Sequence, residues 1–256
     1  MRRVSVTDAG MRRAWGIARS LAIYHGIPGR QHRMRRFYRQ FLRPGDIGFD
    51  IGAHVGSRVR AWRRLGVHVV AVEPAPDCLR VLRLLFGRDC EHVTIVPAAV
   101  GAKPGTASLK VSTATPTVST MSNGWLEEVS ADASFSHVKW DNQIEVEVTT
   151  LDRLIARHGE PAFCKIDVEG FEADVLMGLS KPLRALSFEY LPMAHDATVK
   201  VLDLVDNLGP YEYNFSPVET MRLAGERWLD AAGLLRLLDR FRPLGRSGDV
   251  YARRIS

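Results

Sequence analysis

Residues 49–56 read Phe-Asp-Ile-Gly-Ala-His-Val-Gly. Asp50 closes an apolar run of strand character, and Gly52 and Gly56 stand in a turn before a helical pattern, with His54 between them. Glycines there let the backbone turn sharply and approach a ligand closely. The spacing Asp-x-Gly-x-x-x-Gly differs from the Gly-x-Gly-x-x-Gly of a dinucleotide site. Such a site cradles a pyrophosphate at a helix N-terminus, where an acid would repel it. A carboxylate at Asp50 suits an ammonium or sulfonium group instead. Glu73, followed by Pro74, ends the next apolar run, 21 residues after Gly52. An acid at the tip of the second strand can accept both hydroxyls of an adenosine ribose. S-adenosylmethionine carries an ammonium, a sulfonium and a ribose, and no phosphate. Its candidate contacts are Asp50, Gly52, His54, Gly56, Glu73 and Pro74. Ala98 and Ala99, after a third apolar run, can pass near the adenine or serve as small core residues.

A second group of acids follows. Asp167 ends the run 163–167, Glu169 lies in the turn after it, Glu172 begins a helix and Glu189 ends another strand-like run. Asp167 is expected at the reaction zone, as a contact to cofactor or substrate. With Glu189 it can also hold magnesium through hard oxygen ligands. Glu169 is expected to bind turn amides and cap the following helix. A protic acceptor in that zone must lose its proton to react, and histidine titrates in the right range. His137, in Ser-Phe-Ser-His-Val-Lys-Trp, is the first candidate base and His195 the second; the bland reading of each is a solvated loop histidine. Ser119, Thr120 and Met121 either line the pocket or form a plain loop. Trp125 and Trp140 either stack on a sugar ring or anchor their loop.

Alternating strands and helices must position these residues. Strands are expected at 47–51, 67–72, 92–96, 107–111, 145–149, 163–167, 185–190, 211–215 and 250–255, the last two as a terminal hairpin. Helices are expected at 57–65, 77–86, 151–157, 171–179 and 198–208. The valine-rich run 67–72 reads as a parallel strand buried on both faces. The alternation predicts a three-layer α/β sheet, with ligands at the carboxyl ends of its strands. Residues 112–143 form a long, weakly patterned stretch with the character of a lid or substrate loop.

Charge divides the chain. Residues 1–43 hold eleven arginines and a single acid, Asp8, while the remainder holds 24 basic and 28 acidic residues. The expected organisation is a basic helical extension, 1–43, and an enzyme-like domain, 44–256. The extension can attract nucleic acid, anionic lipid or a charged glycan, or be a solvated appendage. Trp15, Ile17, Leu21 and Tyr24 are expected to form one apolar stripe, and Phe37, Tyr38, Phe41 and Leu42 a second that packs on the domain. With 46% hydrophobic and 25% charged residues in 256, the composition is that of a globular chain and excludes disorder or a collagen-like repeat. Three cysteines without metal-ligand spacing argue against a zinc module and fit a reducing compartment, so a cytoplasmic location is expected. Neither a membrane-spanning run nor a signal-peptide stretch is seen.

The strings FDIGAHVG (49–56), AVEPAP (71–76), VTTLD (148–152) and CKIDVEGFEADVLMGL (164–179) resemble the FkbM family of S-adenosylmethionine-dependent methyltransferases. The likeness runs over roughly residues 44–190, with Lys165–Gly170 its most specific piece. It departs at His54, where the family usually has asparagine. The resemblance implies a Rossmann-like class I methyltransferase: a mainly parallel seven-stranded sheet flanked by helices. It also implies O-methylation of a sugar, glycan or polyketide-type hydroxyl. Two other readings remain open from sequence: a nucleic-acid methyltransferase using the basic segment, and a non-catalytic adenosine-ligand-binding protein. A nicotinamide oxidoreductase is disfavoured by the missing third glycine and by Asp50.

Overall fold

The computed structural model describes residues 6–112, 119–122, 124, 138 and 140–255. Two helices, α1 (Val6–His25) and α2 (Arg30–Tyr38), precede the first strand. The chain then alternates: β1 (Ile47–Ile51), α3 (Ser57–Arg63), β2 (His68–Val72), α4 (Pro76–Phe86) and β3 (Val93–Val96). A short β4 (Ala99–Val100) leads to β5 (Gly105–Val111) and β6 (Asn142–Thr149). After them come α5 (Leu151–His158), β7 (Phe163–Ile166), α6 (Glu172–Met177), β8 (Ala185–Tyr190), α7 (His195–Leu208), β9 (Tyr211–Pro217), α8 (Ala231–Phe241) and β10 (Gly248–Arg254).

Seven strands form one sheet in the order β3-β2-β1-β7-β8-β10-β9. All neighbours are parallel except β10, which runs antiparallel to β8 and β9. The fold is thus Rossmann-like, a mainly parallel sheet with helices on both faces. The central strands are apolar on both sides because both sides are covered: Phe49, Val69, Val70, Phe163 and Leu186 are fully buried. One face packs on α5, α6, α7 and α8 through Leu154, Val175, Val205 and Leu238. The other packs on α2, α3 and α4 through Tyr38, Trp62 and Leu82. The chain order reverses between β1 and β7, so a crevice opens there at the strands' carboxyl ends.

Three findings go beyond or against the sequence expectations. First, β4, β5 and β6 form a separate three-stranded sheet, β4-β6-β5, and residues 112–141 join its antiparallel pair. Second, β9 and β10 do pair, yet α8 lies between them. Asp230 caps α8 by accepting from the Gly233 N–H at 2.7 Å. Third, Trp15 is not on the inner stripe of α1. Ile17 and Tyr24 face the body, but Trp15, two residues before Ile17, points outward and is 67% exposed. Residues two apart lie on opposite sides of a helix. The second apolar stripe does enter the core: Phe41 stacks on Tyr251 with ring centroids 5.6 Å apart.

Candidate active site

The turn after β1 is hooked to β2, because the Gly52 and Ala53 N–H groups donate to the Val72 carbonyl at 2.9 and 3.0 Å. His54 follows with a left-handed φ of 53°, a conformation that asparagine and histidine tolerate better than most residues. Its N–H donates to Glu73 Oε2 at 2.8 Å, and the Ala75 N–H donates to Glu73 Oε1 at 2.8 Å. Glu73 therefore ties the β1–α3 turn to the β2–α4 turn and keeps a spare lone pair on each oxygen. Asp50, only 2% exposed, lies beside them without an ion pair among the described residues.

On the other side of β1, the Asp167 N–H donates to the Ile51 carbonyl at 3.0 Å. The turn beyond is shaped by Glu172, whose Oε1 accepts from Val168 N–H and Gly170 N–H at 3.1 and 3.3 Å. The capping expected of Glu169 thus belongs to Glu172, which reaches back one helical turn. Glu169 itself sits at φ 53° on the crevice wall, and its carbonyl accepts from Thr120 Oγ1 at 2.7 Å. Behind Asp167 lies a buried charge network. Lys165 Nζ is 3.0 Å from Asp167 and 2.9 Å from Asp249. Arg58 reaches Asp167, Glu219 and Asp249 at 3.9, 3.6 and 3.4 Å. Burial pushes the Asp167 carboxyl up, but Lys165 and Arg58 outweigh it and hold it below its ordinary pKa.

These elements enclose a crevice whose empty space, open solvent at its mouth included, is about 920 Å³. Among the described residues its wall holds five carboxylates, Asp50, Glu73, Asp167, Glu169 and Glu219, against one guanidinium, Arg58. Ala98, Ala99, Val100, Leu109 and Met121 provide an apolar part. From α1 comes Tyr24, its ring edge-on to His54 at 5.3 Å. Burial lowers the His54 pKa to about 4, and its Nε2 is buried without a hydrogen-bond partner among the described residues.

Of the residues expected from sequence, Asp50, Gly52, His54, Glu73, Pro74, Ala98, Ala99 and Asp167 line this crevice. Gly56 does not. It packs so closely on α4 that a Cβ there would meet Phe86 at 2.4 Å, which is a helix-packing role. His195 starts α7, half-buried, away from the crevice lining. His137 and Trp125 lie outside the described residues. Ser119 and Met121 are on the wall, and Thr120 is buried behind it. Tyr24, Arg58 and Glu219 were not anticipated; nothing local in the sequence marks them. Glu189 does converge with Asp167, and Glu169 joins them, with carboxylate oxygens all within 4.8 Å. Burial first, then neighbouring acids, raises the pKa of Glu169 and Glu189.

The family model of the FkbM methyltransferase domain matches residues 50–214. The chain belongs to this family. It is accordingly an S-adenosylmethionine-dependent methyltransferase. No curated protein matches it. Among solved structures it is similar to precorrin-6y C5,15-methyltransferase of Geobacter metallireducens, at 12% identity and TM-score 0.48, covering 88% of this chain and 87% of that one. It is also similar to an S-adenosylmethionine-dependent O-methyltransferase of Thermotoga maritima, at 12% identity and TM-score 0.42, covering 90% and 66%. A third is an rRNA methylase of Streptococcus thermophilus, at 11% identity and TM-score 0.42, covering 87% and 94%.

The crevice of this FkbM methyltransferase fits its methyl donor. An acid-rich wall suits a ligand bearing a sulfonium and an ammonium, the apolar part suits a nucleobase, and His54 Nε2 is an unpartnered polar atom on the same wall. Burial raises the pKa of both Asp50 and Glu73 to about 7, eased for Asp50 by Arg58 and Lys165 and for Glu73 by the N–H groups of Ala75 and His54. In the unliganded protein their stabilising contribution is full below the ordinary values of 3.8 and 4.5 and is lost as pH rises through about 7. A cationic ligand reverses that preference, because it favours the ionised pair. Calorimetry is therefore expected to show S-adenosylmethionine binding more tightly as pH rises from about 5.5 to 8, with protons released below pH 7. Each group contributes roughly tenfold per pH unit below its pKa. An affinity flat across this range contradicts the assignment.

Proposed function

We propose that this methyltransferase transfers the methyl group to a hydroxyl of a sugar, glycan or polyketide-type natural product. The observation that carries the reading is the acidic wall of the crevice, five carboxylates to one guanidinium among the described residues. Carboxylates accept hydrogen bonds from the hydroxyls of a neutral polyol and repel the phosphates of a nucleic-acid strand. When bound, the donor supplies an activated methyl group whose leaving group departs without protein assistance. The protein's part is to position the acceptor oxygen, exclude water and receive one proton. Asp167, kept ionised by Lys165 and Arg58, orients a hydroxyl or the donor's ammonium. The proton goes to His137, which the sequence places in the segment joining β5 to β6; two described residues of that segment, Ser119 and Met121, reach the wall. His195 is the weaker choice, since it is not on the wall.

The test is incubation with S-adenosylmethionine and a panel of sugars, glycans, hydroxylated polyketides and RNA, followed by mass spectrometry of the products. A methyl ether on a polyol acceptor is expected, and His137→Ala is expected to lower turnover at least tenfold with donor affinity retained. A methylated nucleobase, or no transfer to any hydroxyl, contradicts the reading. The gathering of Asp167, Glu169 and Glu189 favours a second version with magnesium, which would polarise the acceptor hydroxyl. Full turnover after treatment with EDTA removes that version and leaves the first intact.

A further inference from the structure

Over residues 15–25 the outer face of α1 is largely apolar, where a helix on a protein surface is normally polar. Trp15 is 67% exposed, Ile23 43% and Ile27, just beyond the helix, 45%. Ala18 and Ala22 lie between them and are also exposed, so the face recurs at helical spacing. The opposite face is already occupied: Ile17 packs beside Ala75 and Leu109, Ser20 is buried, and Tyr24 lines the crevice. The outer stripe is therefore left over after α1 has docked.

The segment that carries it is strongly basic. Between Asp8 and Asp46 the sequence has no acid. Arg19 lies on the outer face, its guanidinium 6.0 Å from the Trp15 ring centre, and Arg33, Arg36 and Arg39 are exposed on and just after α2.

We infer that this face docks the protein on an anionic lipid bilayer, with Trp15, Ile23 and Ile27 in the interface and the arginines against the headgroups. A tryptophan and aliphatic side chains flanked by arginine on one helix face is the composition of an interfacial helix. Each arginine near an anionic surface strengthens the attachment. Nucleic acid would use the arginines and stack on Trp15, but it has no use for Ile23 and Ile27. A second copy of the chain would bring two segments of like charge together. The docking itself does not depend on which hydroxyl is methylated.

Sedimentation of the full chain with vesicles tests this. Binding is expected to vesicles of phosphatidylcholine containing about one-third phosphatidylglycerol, weakening with salt, and not to phosphatidylcholine alone. Ile23→Glu with Ile27→Glu is expected to reduce partitioning at least tenfold while S-adenosylmethionine affinity, which reports that Tyr24 is still in place, is unchanged. The inference is overturned by no binding of the wild type to anionic vesicles, by equal binding of the variant, or by a concentration-dependent dimer that the variant abolishes. Displacement from vesicles by RNA that binds the double variant as well as the wild type also overturns it.

Discussion

Replacing Lys165 with methionine is expected to lower the unfolding temperature by about 10 °C, a loss of about 3–5 kcal/mol. Lys165 is fully buried, and its ammonium lies 3.0 Å from Asp167 and 2.9 Å from Asp249. Burial works against its charge, but those two carboxylates outweigh it and hold its pKa above the ordinary value. Methionine fits the space and removes the charge, which leaves Arg58 alone against Asp167 and Asp249, while it shares Glu219 with Arg30. The double variant Lys165→Met with Asp249→Asn is expected to regain part of the loss, because fewer buried charges are then unmatched. Urea or thermal unfolding decides this. If the two substitutions simply add, the network does not hold the sheet as described.

Gly52→Ala is expected to be at least as damaging. Gly52 has φ +80°, and a Cβ there would come within 1.9 Å of the Asp167 carbonyl oxygen. That oxygen is backbone and cannot rotate away, and the Asp167 N–H is bonded to the Ile51 carbonyl at 3.0 Å, so the tips of β1 and β7 would have to part. Gly45 is the control: it has φ +88°, but its Cβ position is open. Gly45→Ala is expected to cost only the left-handed strain, about 1–2 kcal/mol. Gly52→Ala is expected to be insoluble or to lose donor binding altogether. Equal unfolding temperatures for the two variants would contradict the close packing of β1 on β7.

The sheet was legible in the sequence because its central strands are buried on both faces. Runs such as Val67–Val70–Val72 can be little else when turn residues bound them. The helix Ala231–Phe241 went unread, although Asp230, Leu234, Leu238 and Phe241 mark its cap and apolar face. Its place inside an expected hairpin hid a signal that was present. Trp15 departs from the expected stripe because helix geometry separates positions two apart: Ile17 takes the inner face and Trp15 the outer.

The crevice divides in the same way. Asp50, Gly52 and Glu73 could be found because strand ends and turns are local, and each is adjacent to its own strand. Arg58, Glu219, Asp249 and Tyr24 come from α3, the segment after β9, β10 and α1. Only the folded sheet brings these together, so no spacing along the chain encodes them. Glu169 and Glu172 were exchanged in role for a subtler reason. Either carboxylate could reach the turn amides by distance along the chain, and the left-handed backbone at Glu169 decides which one does.

Isothermal titration of the wild type and of Asp50→Asn with S-adenosylmethionine, and of the wild type with NAD, tests the account most directly. The wild type is expected to bind the sulfonium donor at one site per chain and NAD not at all. Asp50→Asn is expected to weaken donor binding by about 10- to 100-fold through loss of a charge-assisted contact. Its thermal stability near pH 8 is expected to be no lower than the wild type's, because burial already disfavours the Asp50 charge. Unchanged donor affinity in Asp50→Asn, or NAD binding as tight as that of the donor, would contradict the claim that this acid-lined crevice selects a cation.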